Sequence, residues 1–368
     1  MTIHWKKIIA SLHTVIVLWF TLGVNLTPIM VKRTIRLEDL RGKSLAVDAN
    51  NTLYQFLSLI RAPDGTPLKD SGGNITSHLA GLMFRSTRLI HDYEMDLVFV
   101  FNGEPPQLKK QEIVKRRGLR EKAVLEWERA LKAGDYATAF SKAVMTSRLT
   151  RPMVDDAQRL LALLGIPFVQ APSEAEAQVA YMTMRGDVWA SNSRDYDSLL
   201  FGAPRLVRYL TIGGREFLPS KGISRPLRPE LIHLNNLLAH HNLTREQLID
   251  LAVLIGTDFN EGVRGIGPKT ALKLLKKHGR IENLPIEIRL KVSQDYEDVR
   301  KIFLQPKVTS NYTLKYGDLH AEGLYDFLCD QRDFSEDRVK TAIQRMERFY
   351  LGRRQVGLEK WFMSDLES

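Results

Sequence analysis

At 368 residues the chain has length enough for one large domain or two small ones around a full hydrophobic core. A net charge of +10 points toward nucleic acid or another anionic partner, although a basic surface that only aids solubility has the same composition. The single cysteine, Cys329, excludes an intramolecular disulfide and a cysteine-based zinc site, and fits a reducing compartment.

In chain order, Lys6 and Lys7 precede an apolar run from Ile8 to Phe20 with the look of a signal peptide or anchor. It is shorter than the roughly 20 residues that span a bilayer. His13 interrupts it, no Ala-x-Ala site follows, and a weak anchor stays open. Short apolar runs at Ser44–Val47, Leu97–Phe101 and Val188–Ser191 then alternate with amphipathic stretches, the pattern of an α/β fold with a mainly parallel sheet. Ligands of such sheets bind beyond the carboxyl ends of the strands, where Asp48, Asn102, Asp195 and Asp197 fall. Between Leu108 and Arg151 there are twelve Lys/Arg and five Asp/Glu. Helix formers dominate the stretch and Gly134-Asp135 breaks it, which predicts two basic helices over one edge of the site, or simply a solvated helical face. Beyond residue 228 the chain reads as mainly helical, with no repeat or Pro/Gly-rich linker.

Six acids stand out by placement: Asp48, Glu174, Glu176, Asp195, Asp197 and Asp258. Each has a structural alternative. Ser173 with Glu176 spells a capping box, Asp195-x-Asp197 fits a turn, and Asp258 fits a helix cap. Taken together they suit phosphodiester hydrolysis, in which two divalent ions about 3.5 to 4 Å apart stabilise the attacking and leaving oxygens. Hard carboxylate oxygens hold such ions without a histidine cage, and neighbouring Lys/Arg groups hold phosphates.

The chain resembles the flap endonuclease family in its archaeal form, from about Gly23 to Phe362. The resemblance rests on Ala-Val-Asp-Ala at Asp48, Val-Phe-Asn-Gly-Glu-Pro-Pro around Asn102, Gln-Ala-Pro-Ser-Glu-Ala-Glu-Ala-Gln around Glu174, Asp-Tyr-Asp-Ser-Leu-Leu-Phe-Gly from Asp195, Ile-Gly-Thr-Asp at Asp258, and Arg-Gly-Ile-Gly-Pro-Lys-Thr-Ala from Arg264. It implies a nuclease domain over 22–348, with an arch over about 104–150 and a helix-hairpin-helix over about 246–280. It further implies two Mg²⁺ ions, with Mn²⁺ as a substitute, one leaning on Asp48, Glu174 and Glu176 and the other on Asp195, Asp197 and Asp258. The family has an aspartate where this chain has Asn102. An amide oxygen still coordinates Mg²⁺ but is neutral, so reduced activity is expected, whether the asparagine is natural or engineered.

By the same resemblance Lys109 and Arg116, seven residues apart and so close to two helical turns, are gateway cations that stabilise charge on the phosphate, or else only position it. The arch takes a single-stranded 5′ end. Tyr54 stacks on a base or fills the core, and Arg61 and Arg85 contact DNA. Gly265, Gly267 and Lys269 grip duplex DNA at the hairpin, with a K⁺ ion there. Gln355, Leu358, Trp361 and Phe362, in a tail over 349–368, resemble a motif that docks on the replication sliding clamp (PCNA). The 21 residues before Leu22 have no counterpart in the family and are read as an upstream start-codon assignment, with no stable membrane association and a cytoplasmic, nucleoid-associated place of action. The expected function is a structure-specific 5′ flap endonuclease and 5′–3′ exonuclease of replication and repair. A catalytically weak clamp-tethered DNA-binding protein and a PIN-like ribonuclease are the alternatives.

Overall fold

The computed structural model describes residues 23–62, 65–211, 215–218 and 223–366; for 137, 215–218, 223–226 and 354–366 only the backbone is described. The apolar run at Ile8–Phe20 and the proposed start at Leu22 lie outside the described residues, as do the side chains of Gln355, Leu358, Trp361 and Phe362. Among the described residues no helix is long and apolar enough to cross a membrane.

The chain runs β1 (Arg33–Thr34), β2 (Ser44–Asp48), α1 (Ala49–Leu59), α2 (Ser77–Tyr93), β3 (Asp96–Phe101), α3 (Lys110–Lys132), α4 (Tyr136–Met145), α5 (Arg151–Leu163), β4 (Phe168–Gln170), α6 (Ala175–Met184), β5 (Ala190–Asn192), α7 (Asp197–Leu200) and β6 (Arg205–Arg208). A hairpin of β7 (Arg215–Leu218) and β8 (Ile223–Pro226) leads to β9 (Glu230–His233). The rest is helical: α8 (Leu234–His241), α9 (Arg245–Ile255), α10 (Pro268–His278), α11 (Ile286–Arg289), α12 (Tyr296–Leu304), α13 (Ala321–Tyr325) and α14 (Glu336–Leu366).

Seven strands form one sheet in the order β1-β9-β6-β5-β2-β3-β4, with β6, β5, β2, β3 and β4 mutually parallel and β9 antiparallel to β1 and β6. The mixed, mainly parallel α/β class read from the alternation is therefore present. Side chains of β2 and β3 alternate between two buried faces, as a doubly covered sheet requires. Leu45, Val47, Leu97, Phe99 and Phe101 face one core with α2, α5 and α14, while Ala46, Val98 and Val100 face another with α6. A third cluster joins α7 to α10 and α12 beyond β6.

Three details differ from expectation. The third strand is Ala190–Asn192, two residues late, because Trp189 is held by Ser44 and Val188 fills the core under α6. Strand β4 has only three residues, too few to show a period. Strand β9 interrupts the stretch read as helical past residue 228 and closes the sheet against β6.

The chain leaves β2 for β3 and β4 on one side and returns to β5 on the other, so β2 and β5 flank a crevice where strand order reverses. That crevice opens at the carboxyl ends of the parallel strands, the place where open α/β sheets bind ligands.

Candidate active site

Each acidic residue reaches this crevice from a different strand end. Asp48 closes β2 and caps α1, accepting the Asn51 amide at 2.9 Å. Glu174 precedes α6, and Glu176 lies in its first turn. Asp195 follows β5 and Asp197 begins α7. Asp258 arrives from the turn after α9. Asp48, Asn102, Glu174, Glu176, Asp195 and Asp258 share one cavity of about 430 Å³ with Tyr54, Lys109, Arg116 and Arg120. Asp197 lies beside it against Gly23, accepting the Val24 amide at 3.1 Å. A Cβ on Gly23 would fall 2.7 Å from the Asp197 carboxylate, so only glycine lets the backbone pass there.

The structural alternatives can now be weighed. Ser173 donates to the Glu104 carbonyl and Glu176 accepts from Ser193 at 2.9 Å, so these two form no capping box. The helix after Asp258 is capped by Gly267, and Asp258 caps nothing. Only Asp48 has a demonstrable local role, worth about 1 kcal/mol for such a cap.

Burial sets the electrostatics. It pushes Asp48 up to about 6 and Asp197 up to about 7, the latter helped by Asp258. Burial and neighbouring carboxylates hold Glu176 and Asp195 well above the usual range. Asp258 is the exception. Burial would raise it, but Lys109 and Arg116 outweigh burial and lower it. Lys109 Nζ stands 2.5 Å from Glu174 and 3.3 Å from Asp258, and Arg116 stands 2.5 Å from Asp258 and 2.8 Å from Glu112. Burial alone would lower Lys109, yet Glu174 and Asp258 carry it above its ordinary value.

Two protein cations thus supply charge that the buried acids need. Among the described residues no three carboxylate, imidazole or thiolate side chains close around a single point; Lys109 and Arg116 reach in among the acids. The donor set is nonetheless that of a hard divalent cation: carboxylate oxygens only, converging on one crevice, and raised toward neutrality where no cation touches them.

Asn102 follows β3 and lines the cavity. Its Oδ1 accepts the Ala175 amide at 2.7 Å, which settles the amide orientation because only the oxygen can face an N–H. The Asn50 side chain and Gln170 hold its backbone at 2.9 and 2.7 Å. The Asn102 oxygen thus carries one hydrogen bond at the start of α6 and keeps a second lone pair, and Nδ2 remains a donor.

Tyr54 lines the cavity and accepts from Arg120 at 3.4 Å, so it is no core aromatic. Arg61 is bound within the fold. Its three nitrogens bind the Leu57 and Gly65 carbonyls and Ser147 at 3.0, 2.7 and 2.7 Å, and burial lowers it to about 10. It fastens α1 to the base of α4. Arg85 is half-buried on α2. Gly265 has φ +86°, a backbone other residues adopt with strain. Gly267 caps α10 and Lys269 is exposed in its first turn, so α9, the glycine turn and α10 form a helix-hairpin-helix.

Sequence reasoning missed Asn51, whose Nδ2 donates to Asp195 at 2.6 Å while its oxygen accepts from Gln55. Two buried amides at i and i+4 on one helix were the available signal.

The XPG N-terminal domain matches residues 22–123 and the XPG I-region matches 165–258. The Flap endonuclease 1 of Pyrococcus furiosus is 48% identical over 342 residues, covering 93% of this chain and 99% of the relative. The chain belongs to the flap endonuclease 1 family. The Methanococcoides burtonii relative is 46% identical over 93% of this chain and 100% of its own. The solved flap endonuclease-1 from Methanococcus jannaschii superposes with a TM-score of 0.72 at 41% identity, covering 90% of this chain and 100% of that one. The catalytic core of Rad2, solved with a DNA substrate, shares the fold at a TM-score of 0.63 and 23% identity, covering 87% of this chain and 97% of its own. Nucleases of this family are divalent-metal dependent.

Proposed function

We propose that this chain removes 5′ flaps from branched DNA during replication and repair, acting as a 5′ flap endonuclease and 5′–3′ exonuclease. The observation that carries this reading is the contact of Lys109 and Arg116, at the foot of a basic two-helix arch, with buried acids at the carboxyl edge of the sheet.

Bound among Asp48, Glu174, Glu176, Asp195, Asp197 and Asp258, two Mg²⁺ ions, replaceable by Mn²⁺, would supply charge neutralisation and Lewis acidity. The chain's own residues do the rest. Lys109 and Arg116 line the same cavity, where their nitrogens face a phosphate placed there and stabilise its developing charge. Tyr54 offers a ring for the base beside the cut. Asn102, through Nδ2, donates to an anion and adds no negative charge to the ligand set, which lowers metal affinity and activity relative to a carboxylate there. The amides at Gly265 and Gly267, with Lys269 and a K⁺ ion, hold the duplex by its phosphates, and Arg85 adds a phosphate contact. The tail residues Gln355, Leu358, Trp361 and Phe362 engage the sliding clamp. Acting on replicating DNA places the enzyme in the cytoplasm at the nucleoid.

The test is Mg²⁺-dependent cleavage of an end-labelled double-flap DNA by the wild-type chain, Asn102→Asp and Asp197→Ala. The expected result is that Asn102→Asp cuts at least tenfold faster and Asp197→Ala is inactive but folded. If none cuts and all bind the junction, the engaged Asn102 oxygen favours the second reading, a clamp-tethered branched-DNA-binding protein.

A further inference from the structure

A second cavity, of about 490 Å³, adjoins the catalytic one and is not used by the mechanism above. Pro105 and Glu174 line both, so only a thin ridge separates them. Lys109 and Lys110 straddle that ridge: Lys109 points into the carboxylates, whereas Lys110 lines the second cavity. Lys301, in the last turn of α12, and Lys307 just beyond that helix line the same cavity. Lys307 is exposed and has no ion pair among the described residues; Lys301 pairs only with Asp298 on its own helix, at 3.0 Å. The lining also holds apolar Pro106, Pro172, Phe201 and Ile302 and two acids, Glu104 and Glu174, the second of them already paired with Lys109.

Three lysines against Glu104 and a Glu174 already neutralised by Lys109 leave the lining net cationic beside apolar surface, the chemistry of single-stranded nucleic acid binding, in which ammonium groups take phosphates and bases and sugars lie on apolar surface. A cavity of this size admits a nucleotide or two but not a duplex. On the proposed function the single strand next to the scissile phosphate is the flap. We infer that this cavity holds the first nucleotides of the 5′ flap beyond the ridge, with Lys301 and Lys307 as phosphate contacts. The inference rests on the nuclease reading for the identity of the strand.

The test compares the full chain with Lys301→Ala/Lys307→Ala and with Lys307→Glu on two junctions, one carrying a multi-nucleotide 5′ flap and one nicked without a flap. Binding is measured in EDTA across salt concentrations, and cleavage in Mg²⁺. Expected for the double variant are about tenfold weaker binding and kcat/KM on the flapped junction alone, and a salt slope reduced by about one per lysine removed. Lys307→Glu should lose more than the neutral change, again only on the flapped junction. Equal losses on both junctions would assign these lysines to the duplex, and no loss on either would leave the cavity without a DNA role; both results overturn the inference. A wild-type chain that prefers the flapped junction but cuts neither would remove the nuclease reading while the binding comparison still decides the cavity's occupant.

Discussion

The acids of the crevice shift in two directions, Asp48 and Asp197 raised by burial and Asp258 lowered by the cations that touch it, and this has a measurable consequence. Asp48, held at about 6, and Asp197, at about 7, have folded-state values above the ordinary carboxylate value of 3.8. A group raised in the folded state favours the fold when protonated. Its contribution is therefore fully present below the unfolded pKa near 4 and is lost as pH rises through 6 to 7. Asp258, lowered by Lys109 and Arg116, and Lys109, raised by Glu174 and Asp258, change stability outside that window. Metal-free protein should accordingly lose several degrees of Tm between pH 5 and pH 8, and Mg²⁺ should restore more at pH 8 than at pH 5. Calorimetry with and without Mg²⁺ checks this, and an equal Mg²⁺ increment at both pH values would mean that the acids do not share the ions. Lys109→Ala should lower kcat by about 10²–10³, as loss of one preorganised charge partner does, with junction affinity in EDTA nearly retained; an equal loss of affinity would reduce Lys109 to a phosphate-positioning role.

At the scale of elements, the arch is built differently from the body. Helices α3 and α4 meet through small side chains, Ala123, Ala130, Ala139 and Ala143, while Val114 and Leu125 of α3 are 69% and 55% exposed. Large side chains buried in a core contribute about 1.5–3 kcal/mol each, and the seam has few of them. Local opening should therefore cost less here than in β2 or β3. Hydrogen exchange across 110–145 should run ahead of exchange in those strands, and slow when a flap junction is bound; equal protection in the free protein would contradict this. The same contrast explains what the sequence reveals. Strands β2 and β3 are readable because each is a continuous apolar run ending at a functional polar residue, and the arch because charge and helix formers coincide. Strands β4, β6 and β9 have three or four residues each, so nothing local separates them from loops. The six acids were visible as a set through their motifs. Asn51 was not, because its partner Asp195 is 144 residues away in sequence, nor was the engagement of Asn102 by the start of α6.

For the molecule as a whole, the sheet sets the direction in which partners can approach. The acids lie at the carboxyl ends of the parallel strands. At the opposite, amino end of β3, Asp96 pairs with Arg353 of α14 at 2.9 Å, and Arg353 also lies over the rings of Tyr316 and Phe349. Helix α14 is fixed to the body up to that point through Val339, Ala342, Ile343 and Met346. Helix α14 is thus anchored as far as Arg353 at the end of the sheet remote from the crevice. Leu358, Trp361 and Phe362 replaced together by alanine should abolish both clamp binding and stimulation of cleavage by the clamp, while clamp-free kcat/KM on a flap junction stays within about twofold, since aromatic anchors of this kind dominate binding and are separate from the chemistry. Cleavage assays with and without the clamp decide it. A matching fall in clamp-free cleavage, or a lowered Tm, would place those aromatics against the nuclease body and remove the tether.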